Sequence, residues 1–362
     1  MSALAPAERI TLALLALLTA LAGVANYQHW SAVPRFLLAT LALAGLAWVV
    51  SFATGQLGER FGAGVTGMLQ STLGNLPELF VVIFALQKGE LVVAQTAIVG
   101  SIFANALLVL GLVIVIGARR APDGIMRFSP RLPMDTTTLL QVTVFVIVLL
   151  GLSLASHDPA SHHVKTISAV GAVCLLAVYL AWVVPYLRAD ESPAAPRGGD
   201  GRSQHGRPGP RLSLRLTITL LAIGGTASAF VSDWFIEALA PAISVLNLSQ
   251  AFAGLVIVAI AGNAVENVAG LVLSYKRRSD LAISVVKNSV AQIAAFLFPL
   301  LVLISFALDT TLTFRLAPVY TGALALTALA LWQVAGDGEA LEFEGWALVV
   351  LYVILATFAY YE

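Results

Sequence analysis

Long apolar segments follow one another along almost the whole chain of 362 residues. A transmembrane α-helix needs about 20 mostly apolar residues. Only 11% of the residues are charged, whereas a soluble domain carries about 25%. The sequence therefore predicts an all-α polytopic membrane protein with about eleven transmembrane helices. The predicted segments are 10–26, 34–54, 64–87, 91–117, 135–154, 164–187, 213–238, 249–274, 281–307, 312–334 and 344–361.

One polar stretch divides the chain into two membrane halves. Residues 188–212 are rich in Gly, Pro, Ser and Arg, a composition that predicts a solvated linker. We expect an extra N-terminal helix in residues 1–30, a first half in 31–187 and a second half in 213–362. The first segment has a weak signal-peptide character, but its N-terminal region is not clearly basic. We therefore expect this helix to be retained.

The basic residues indicate the orientation of the chain. Of the 20 Lys and Arg residues, 15 fall on one side of the predicted membrane, 4 fall on the other and Lys287 lies within a segment. Cytoplasmic loops carry an excess of Lys and Arg. The N-terminus and the linker are thus predicted to be cytoplasmic and the C-terminus to be outside.

The phrase Gly-Asn-x-x-Glu occurs twice within these apolar segments, at 74–78 and at 262–266. A serine follows each glutamate after 23 residues, Ser101 after Glu78 and Ser289 after Glu266. A carboxylate at bilayer depth is costly and usually functional. The third and eighth segments carry the phrases, so the two copies are predicted to cross the membrane in opposite senses. This pattern predicts an inverted-topology repeat with a site near the membrane midplane.

The residue types in the two phrases suit a hard cation. Glu78 and Glu266 offer anionic oxygens, and Asn75 and Asn263 offer neutral ones. Carboxylates, carbonyls and water are the ligands that calcium prefers. Pro77 has no amide hydrogen and therefore frees a carbonyl one turn back. Because burial also disfavours an ionised carboxylate, the same pair of acids could bind either one divalent ion or protons.

The chain resembles the cation/proton exchanger branch of the calcium/cation antiporter superfamily. The residues that carry the resemblance are 68–117, 230–232, 256–266, 280–305 and 344–346. The resemblance implies one extra helix followed by five plus five inverted helices. It also implies a set of residues around the transported ion, with the glutamates as alternating ligands. These are Glu78, Glu266, Asn75, Asn263, Ser101, Ser289 and Gln292.

Three departures from that family pattern concern the candidate site. Asn267 stands where the family usually has a histidine after its second glutamate, and Asn288 stands in place of a glycine. The Leu-Pro pair in the first phrase is closer to the sodium/calcium exchanger branch. Without the histidine the site lacks a group that titrates near neutral pH. Coupling to protons and selectivity for calcium are thus both left open by the residues.

The expected function is exchange of calcium, or a related cation, for protons by alternating access across a bacterial-type inner membrane. The alternatives are a sodium-coupled or monovalent cation exchanger and a passive cation channel. Hydrolase motifs are missing from the sequence, so we do not expect an enzyme. We expect no resident cofactor, since calcium and protons are cargo. The expected partners are these ions and the lipid bilayer, without nucleic acid, and a homo-oligomer is left open.

Several charged residues have two interpretations each. Lys287 could donate its charge to the site, but helical phase points it away from Ser289, so snorkelling or a structural ion pair is favoured. Asp233 could line an ion pathway or belong to an interface. Histidines near Asp158 could form a weak metal site, and acidic residues at 337–344 could attract cations. Solvated loops are the commoner explanation for both clusters.

Overall fold

The computed structural model describes residues 4–58, 73–129, 131–191 and 211–362. The start of the predicted third segment and most of the predicted linker lie outside these ranges. Apolar helices make up most of the described residues before residue 192. They are α1 (Pro6–Tyr27), α2 (Ala32–Gly58), α3 (Leu76–Gln87), α4 (Leu91–Phe103), α5 (Leu110–Arg120), α6 (Arg131–Ser156) and α7 (Val164–Glu191).

The second half repeats this helical organisation. A π-helical stretch joins α4 to α5, and two more interrupt helices of the second half. The helices are α8 (Leu214–Leu246), α9 (Gln250–Phe252), α10 (Ala259–Gly262), α11 (Ala264–Tyr275), α12 (Ser279–Gln292), α13 (Phe298–Ser305), α14 (Pro318–Ala335) and α15 (Glu342–Tyr361). The π-helical stretches are Ala104–Val109, Ala253–Val258 and Ile293–Leu297.

The described helices are long and apolar enough for a polytopic membrane protein. Within the described residues, eight continuous helical segments are long and apolar enough to cross a membrane. The number becomes nine if the bent pair Gln250–Gly262 and Glu266–Tyr275 forms a single span. Two shorter apolar helices, Leu76–Gln87 and Pro318–Val334, accompany them. The predicted fold class is confirmed. The count of eleven spans and the division into domains remain predictions.

Some helix boundaries differ from the predicted ones. The helix α8 continues past residue 238 to Leu246 and contains Pro241. The helix α14 begins only at Pro318, because residues 306–317 form an irregular loop in which the amide of Leu312 donates to the hydroxyl of Ser305. Proline suits the first turn of a helix, where its missing donor is not needed. Apolar composition alone did not separate this loop from the helix that follows it.

One face of the bundle carries a small antiparallel sheet. Strand β1 (Ile125–Arg127) pairs with β2 (Glu339–Leu341). Arg127 also forms an ion pair with Glu339 at 3.0 Å. The amide of Ser129 donates to Asp280, which brings the first turn of α12 to the same face. We call this the strand face.

The opposite face is held together by a separate polar network. Lys88, at the end of α3, pairs with Asp233 of α8 at 2.6 Å. Asn26, at the end of α1, donates to Glu237 of α8 at 3.0 Å. We call this the Lys88 face. Loops that the sequence places on opposite sides of the membrane therefore lie on opposite faces of the bundle.

Close helix crossings tie the two halves to each other. A Cβ atom on Gly111 of α5 would lie 2.6 Å from the carbonyl oxygen of Gly345 of α15. A Cβ atom on Gly345 would likewise lie 2.6 Å from the carbonyl oxygen of Gly111. A Cβ atom on Gly100 would lie 2.5 Å from the Cα atom of Leu255. Only glycine allows such an approach of two backbones. The candidate site residues lie beside the second of these crossings.

Candidate ion-binding site

Both Gly-Asn-x-x-Glu phrases interrupt a helix at the asparagine. Asn75 has φ −86° and ψ 8°, and α3 begins at the next residue. Asn263 has φ −104° and ψ 16°, and α11 begins at the next residue. In the second half, the parts of the helix on either side of the phrase are bent by 61°. The repeated phrase therefore produces the same local structure twice.

The break places each glutamate in the first turn of a new helix. Glu78 lies in the first turn of α3, and Glu266 lies in the first turn of α11. The N-terminal end of a helix carries a partial positive charge that favours anions. Glu78 is only 2% exposed, and Glu266 is half-buried. Discontinuous helices of this kind line ion sites in many secondary transporters.

The two phrases cross so that the glycine of each faces the glutamate of the other. The Oε1 atom of Glu266 lies 3.1 Å from the position that a Cβ atom on Gly74 would occupy. The Cβ atom of Glu78 lies 3.8 Å from the corresponding position on Gly262. The two carboxylates are close enough for their charges to interact. The structure thus brings the predicted acids of the two halves together.

Amide groups near the glutamates direct their hydrogens away from the acids. The Nδ2 atom of Asn263 donates to the hydroxyl of Ser101 at 2.9 Å and to the carbonyl of Ala259 at 3.0 Å. The Nδ2 atom of Asn105 donates to the carbonyl of Ser101 at 3.0 Å. Both asparagines are 0% exposed. Their oxygens therefore remain as acceptors.

Buried oxygen acceptors without a donor accumulate on the two phrases and the helices beside them. Within the described residues, these neutral oxygens have no hydrogen-bond partner: the Oδ1 atoms of Asn105, Asn263, Asn267 and Asn288, and the Oγ atom of Ser289. The Glu78 carboxylate is buried beside them, with the Ser101 hydroxyl as a neighbouring donor. An unsatisfied buried polar group costs about 1–3 kcal/mol. A hard cation or a proton would satisfy such oxygens. This donor set suits an alkaline-earth ion.

The remaining predicted ligands are also buried on site helices. Asn75 lies at the first break, and Gln292 lies at the end of α12, each 6% exposed. Ser101 is 1% and Ser289 is 4% exposed. Each of these two serines lies just before a π-helical stretch, Ser101 before Ala104–Val109 and Ser289 before Ile293–Leu297. Short π-helical segments are frequent at functional sites.

Sequence reasoning missed three polar residues around the phrases. The hydroxyl of Ser51 lies 3.7 Å from the Cβ position of Gly74. The hydroxyl of Ser232 donates to the carbonyl of Pro77 at 3.5 Å. Asn105 is the third. Two of them could have been predicted from the sequence. Ser232 belongs to one of the segments that carry the family resemblance, and Asn105 lies one helical turn after Ser101.

Comparisons with known proteins agree with this architecture. The family model described as "Sodium/calcium exchanger protein" matches residues 31–186 and 216–361. The chain belongs to this family. The exchanger is 31% identical over 341 residues to the vacuolar calcium ion transporter of Schizosaccharomyces pombe, covering 93% of this chain and 82% of the relative. It is 29% identical to the Ca(2+)/H(+) antiporter of Synechocystis, covering 93% of each chain.

Solved structures share the fold of the exchanger. The structure of native YfkE matches with a TM-score of 0.80 and 23% identity, covering 97% of this chain and 100% of that one. The H+/Ca2+ exchanger CAX matches with a TM-score of 0.74 and 15% identity, covering 97% and 89%. The sodium–calcium exchanger NCX_Mj matches less closely, with a TM-score of 0.57 and 16% identity, covering 90% and 97%. At these identities the likeness concerns the fold alone.

Lys287 neither snorkels nor forms an ion pair within the described residues of the exchanger. It is 2% exposed, and its ammonium group donates to the hydroxyl of Thr137 at 2.7 Å. The expectation of snorkelling is therefore wrong, because α6 packs against α12 and its Thr137 holds the ammonium group in the protein interior. The helical phase correctly predicted that Lys287 points away from Ser289, since its side chain contacts α6 instead.

The other charged clusters serve structural contacts. Asp233 pairs with Lys88, which supports the interface interpretation. Glu339 pairs with Arg127, and Asp158 accepts from the amide of Ala160. The part of the exchanger that the structure describes contains no group of three or more His, Cys, Asp or Glu residues that could hold a metal ion. An ion at the crossing phrases would therefore be bound by two carboxylates and neutral oxygens.

Proposed function

We propose that this exchanger moves calcium across a membrane in exchange for protons. The observation that carries the proposal is the crossing of the two phrases, which brings Glu78 and Glu266 together. Orphaned neutral oxygens surround them. Relatives that cover more than nine-tenths of this chain are named as calcium transporters or Ca(2+)/H(+) antiporters. The proposal is of a transporter and not of an enzyme.

Charge balance explains how one site can serve both ions. Two carboxylates neutralise one calcium ion, and two protons neutralise the same two carboxylates. The buried site is electrically neutral in both loaded states. An empty site would hold two close negative charges away from water, which is costly. The exchanger would therefore cross between its two conformations mainly when loaded, and this coupling is the requirement for antiport.

The repeat supplies two related halves for alternating access. Each half contributes one broken helix and one glutamate to the crossing point. Rocking of two inverted halves around a fixed central site is a general mechanism for such transporters. We further propose that the strand face is cytoplasmic, because it carries most of the basic residues. A bacterial-type inner membrane remains the proposed location.

The experiment is calcium-driven proton movement in proteoliposomes that contain the purified exchanger and an internal pH dye. Glu78→Gln and Glu266→Gln should each abolish the signal, because the one remaining carboxylate can neither neutralise a calcium ion nor carry two protons in exchange for it. Glu90→Gln is the matched control, since Glu90 lies on the Lys88 face, where it accepts from Gln250. It should transport normally. Full activity in both site variants would overturn the proposal.

The same liposomes distinguish the other transport modes. Calcium, sodium, potassium and magnesium are offered in turn, with and without a pH gradient. Calcium flux that depends on the pH gradient supports proton antiport. Dependence on sodium instead would indicate a sodium-coupled exchanger, and calcium flux independent of both gradients would indicate a channel.

A further inference from the structure

A groove on the Lys88 face lies apart from the ion site. It has a volume of about 900 Å³ and is bounded by α4, α6, α7 and α14 together with the loop before α14. Its walls are mostly aliphatic, and Leu152 is one of the exposed apolar side chains among them. Ligand sites in proteins typically measure about 300–1,000 Å³. The groove is therefore large enough to hold part of a lipid.

Two cations lie on the lining of this groove, Lys165 at the start of α7 and Arg315 just before α14. Both are exposed. Neither forms an ion pair with any residue that the structure describes. The side chain of Gln95 donates to the carbonyl of Arg315 at 2.8 Å and fixes this part of the loop against α4. The groove thus combines apolar walls with two uncompensated positive charges.

The other two basic residues predicted for this face lie beside Glu237 of α8. Lys88 forms an ion pair with Glu237 at 3.5 Å. Arg35 lies close enough to Glu237 to interact with its charge. Lys165 and Arg315 are therefore the two cations of this face that line the groove.

The chemistry of the groove fits one class of ligand. Basic pockets between transmembrane helices bind anionic lipid headgroups. The aliphatic walls suit an acyl chain, and Lys165 and Arg315 suit a phosphate group. An apolar tail below two cations matches this chemistry.

We propose that this groove binds an anionic phospholipid of the adjacent leaflet. The phosphodiester lies between Lys165 and Arg315, and an acyl chain lies along the aliphatic walls. The site is separate from the crossing phrases and does not depend on which ion is transported.

The test measures lipid binding to the full chain in detergent by native mass spectrometry and by thermal unfolding. Phosphatidylglycerol, phosphatidylcholine with the same acyl chains, and inorganic phosphate are added separately. We expect phosphatidylglycerol to bind and to raise the unfolding temperature more than the other two. Removing one cation near a membrane surface should weaken binding about fivefold, and removing both should weaken it about 25-fold.

Matched variants separate the groove from general charge effects. Lys165→Gln with Arg315→Gln should lose the preference for phosphatidylglycerol, while Lys165→Arg with Arg315→Lys should keep it. Lys276→Gln with Arg278→Gln removes the same charge from the loop before α12 and should also keep it. Gly322→Leu tests the tail, because a Cβ atom on Gly322 meets no atom within 4 Å and the side chain can fill the groove. It should weaken both phospholipids.

Three results would overturn the proposal. The first is unchanged binding of phosphatidylglycerol in the double Gln variant. The second is equal stabilisation by inorganic phosphate, which would indicate an anion site without a lipid tail. The third is a change of oligomeric state in Gly322→Leu without any change in lipid binding, which would show that a second copy covers the groove.

Discussion

Glycines 74 and 262 occupy equivalent positions in the two phrases but have different amounts of space. A Cβ atom on Gly74 would lie 3.1 Å from a carboxylate oxygen of Glu266, whereas one on Gly262 would lie 3.8 Å from the Cβ atom of Glu78. The first distance requires the carboxylate to move, and the second is an ordinary contact. The two copies of the site are therefore related but not interchangeable.

This difference predicts unequal effects of the same substitution. Gly74→Ala should displace the Glu266 carboxylate and raise the calcium concentration for half-maximal transport by up to about tenfold, equivalent to about 1.4 kcal/mol. Gly262→Ala should have little effect on the same quantity. Calcium titrations in proteoliposomes measure both. Equal effects of the two variants would show that the carboxylates are not arranged as described.

The hydrogen bond between Lys287 and Thr137 predicts that substitutions of its two members differ in their effect on stability. Lys287→Met replaces a buried ammonium by an apolar side chain of similar length, and such replacements are often neutral or stabilising. Thr137→Val leaves the ammonium without the hydroxyl that accepts its hydrogen bond. It should destabilise the protein by about 1–3 kcal/mol. Thermal unfolding of both variants in one detergent compares them.

The transport rates of these two variants complete the test. Lys287→Met should transport near the wild-type rate, because its side chain contacts α6 and not Ser289. A large change in ion preference in Lys287→Met would instead place the ammonium at the site.

Many residues of the candidate site could be predicted from the sequence, because a repeated polar phrase in apolar helices can be recognised without knowledge of the tertiary structure. The two glutamates and the two asparagines follow from the repeat alone. Ser51 could not be found in this way, since a lone serine in an apolar helix often bonds only to its own backbone. Its proximity to Gly74 comes from tertiary packing. The surroundings of Lys287 likewise depend on α6, which sequence spacing does not reveal.

At the scale of helices, apolar length predicted the elements but not their interruptions. A run of apolar residues has the same composition whether its helix is α or π, so the three π-helical stretches left no signal. The breaks at Asn75 and Asn263 did have a sequence signal. Gly74 and Pro77 lie beside the first asparagine, and Gly262 precedes the second. The sequence prediction started α14 too early, at residue 312 instead of Pro318. Residues 312–317 are apolar enough to look like part of the helix, although they form a loop.

Helix crossing predicts a stability effect remote from the site. Gly345→Ala would place a Cβ atom 2.6 Å from the carbonyl of Gly111, where α5 and α15 meet. Overpacking of this kind costs about 1–3 kcal/mol. The unfolding temperature should fall accordingly, and calcium affinity should change little in protein that remains folded.

Gly322→Ala is the control, because a Cβ atom at Gly322 of α14 meets nothing within 4 Å. It should leave the unfolding temperature unchanged or raise it, since alanine is the better helix former. A similar loss of stability in both variants would argue against a specific crossing at Gly345.

At the scale of the whole molecule, direct contacts hold the two halves together. Strand β1 of the first half pairs with β2 of the second. The helices α2 and α8 pack along one another, and the phrases cross at the site. These contacts do not involve residues 192–210. The covalent connection should therefore be dispensable once the protein has folded.

A protease site inserted between residues 195 and 205 tests this expectation. After cleavage of the purified protein, the two fragments should remain associated in detergent and retain calcium-driven proton movement. The uncleaved insertion variant is the control. Loss of transport on cleavage, with the control active, would show that the connecting segment takes part in the cycle.

The facing glycines and glutamates also bear on how such a duplicated protein can change. Enlarging residue 74 disturbs an acid encoded almost 200 positions later, so the first copy of the phrase is not free to diverge by itself. Mutations that tune ion preference are then expected to arise as compensating pairs, one in each copy. Libraries for redesigning selectivity should accordingly randomise the two phrases jointly.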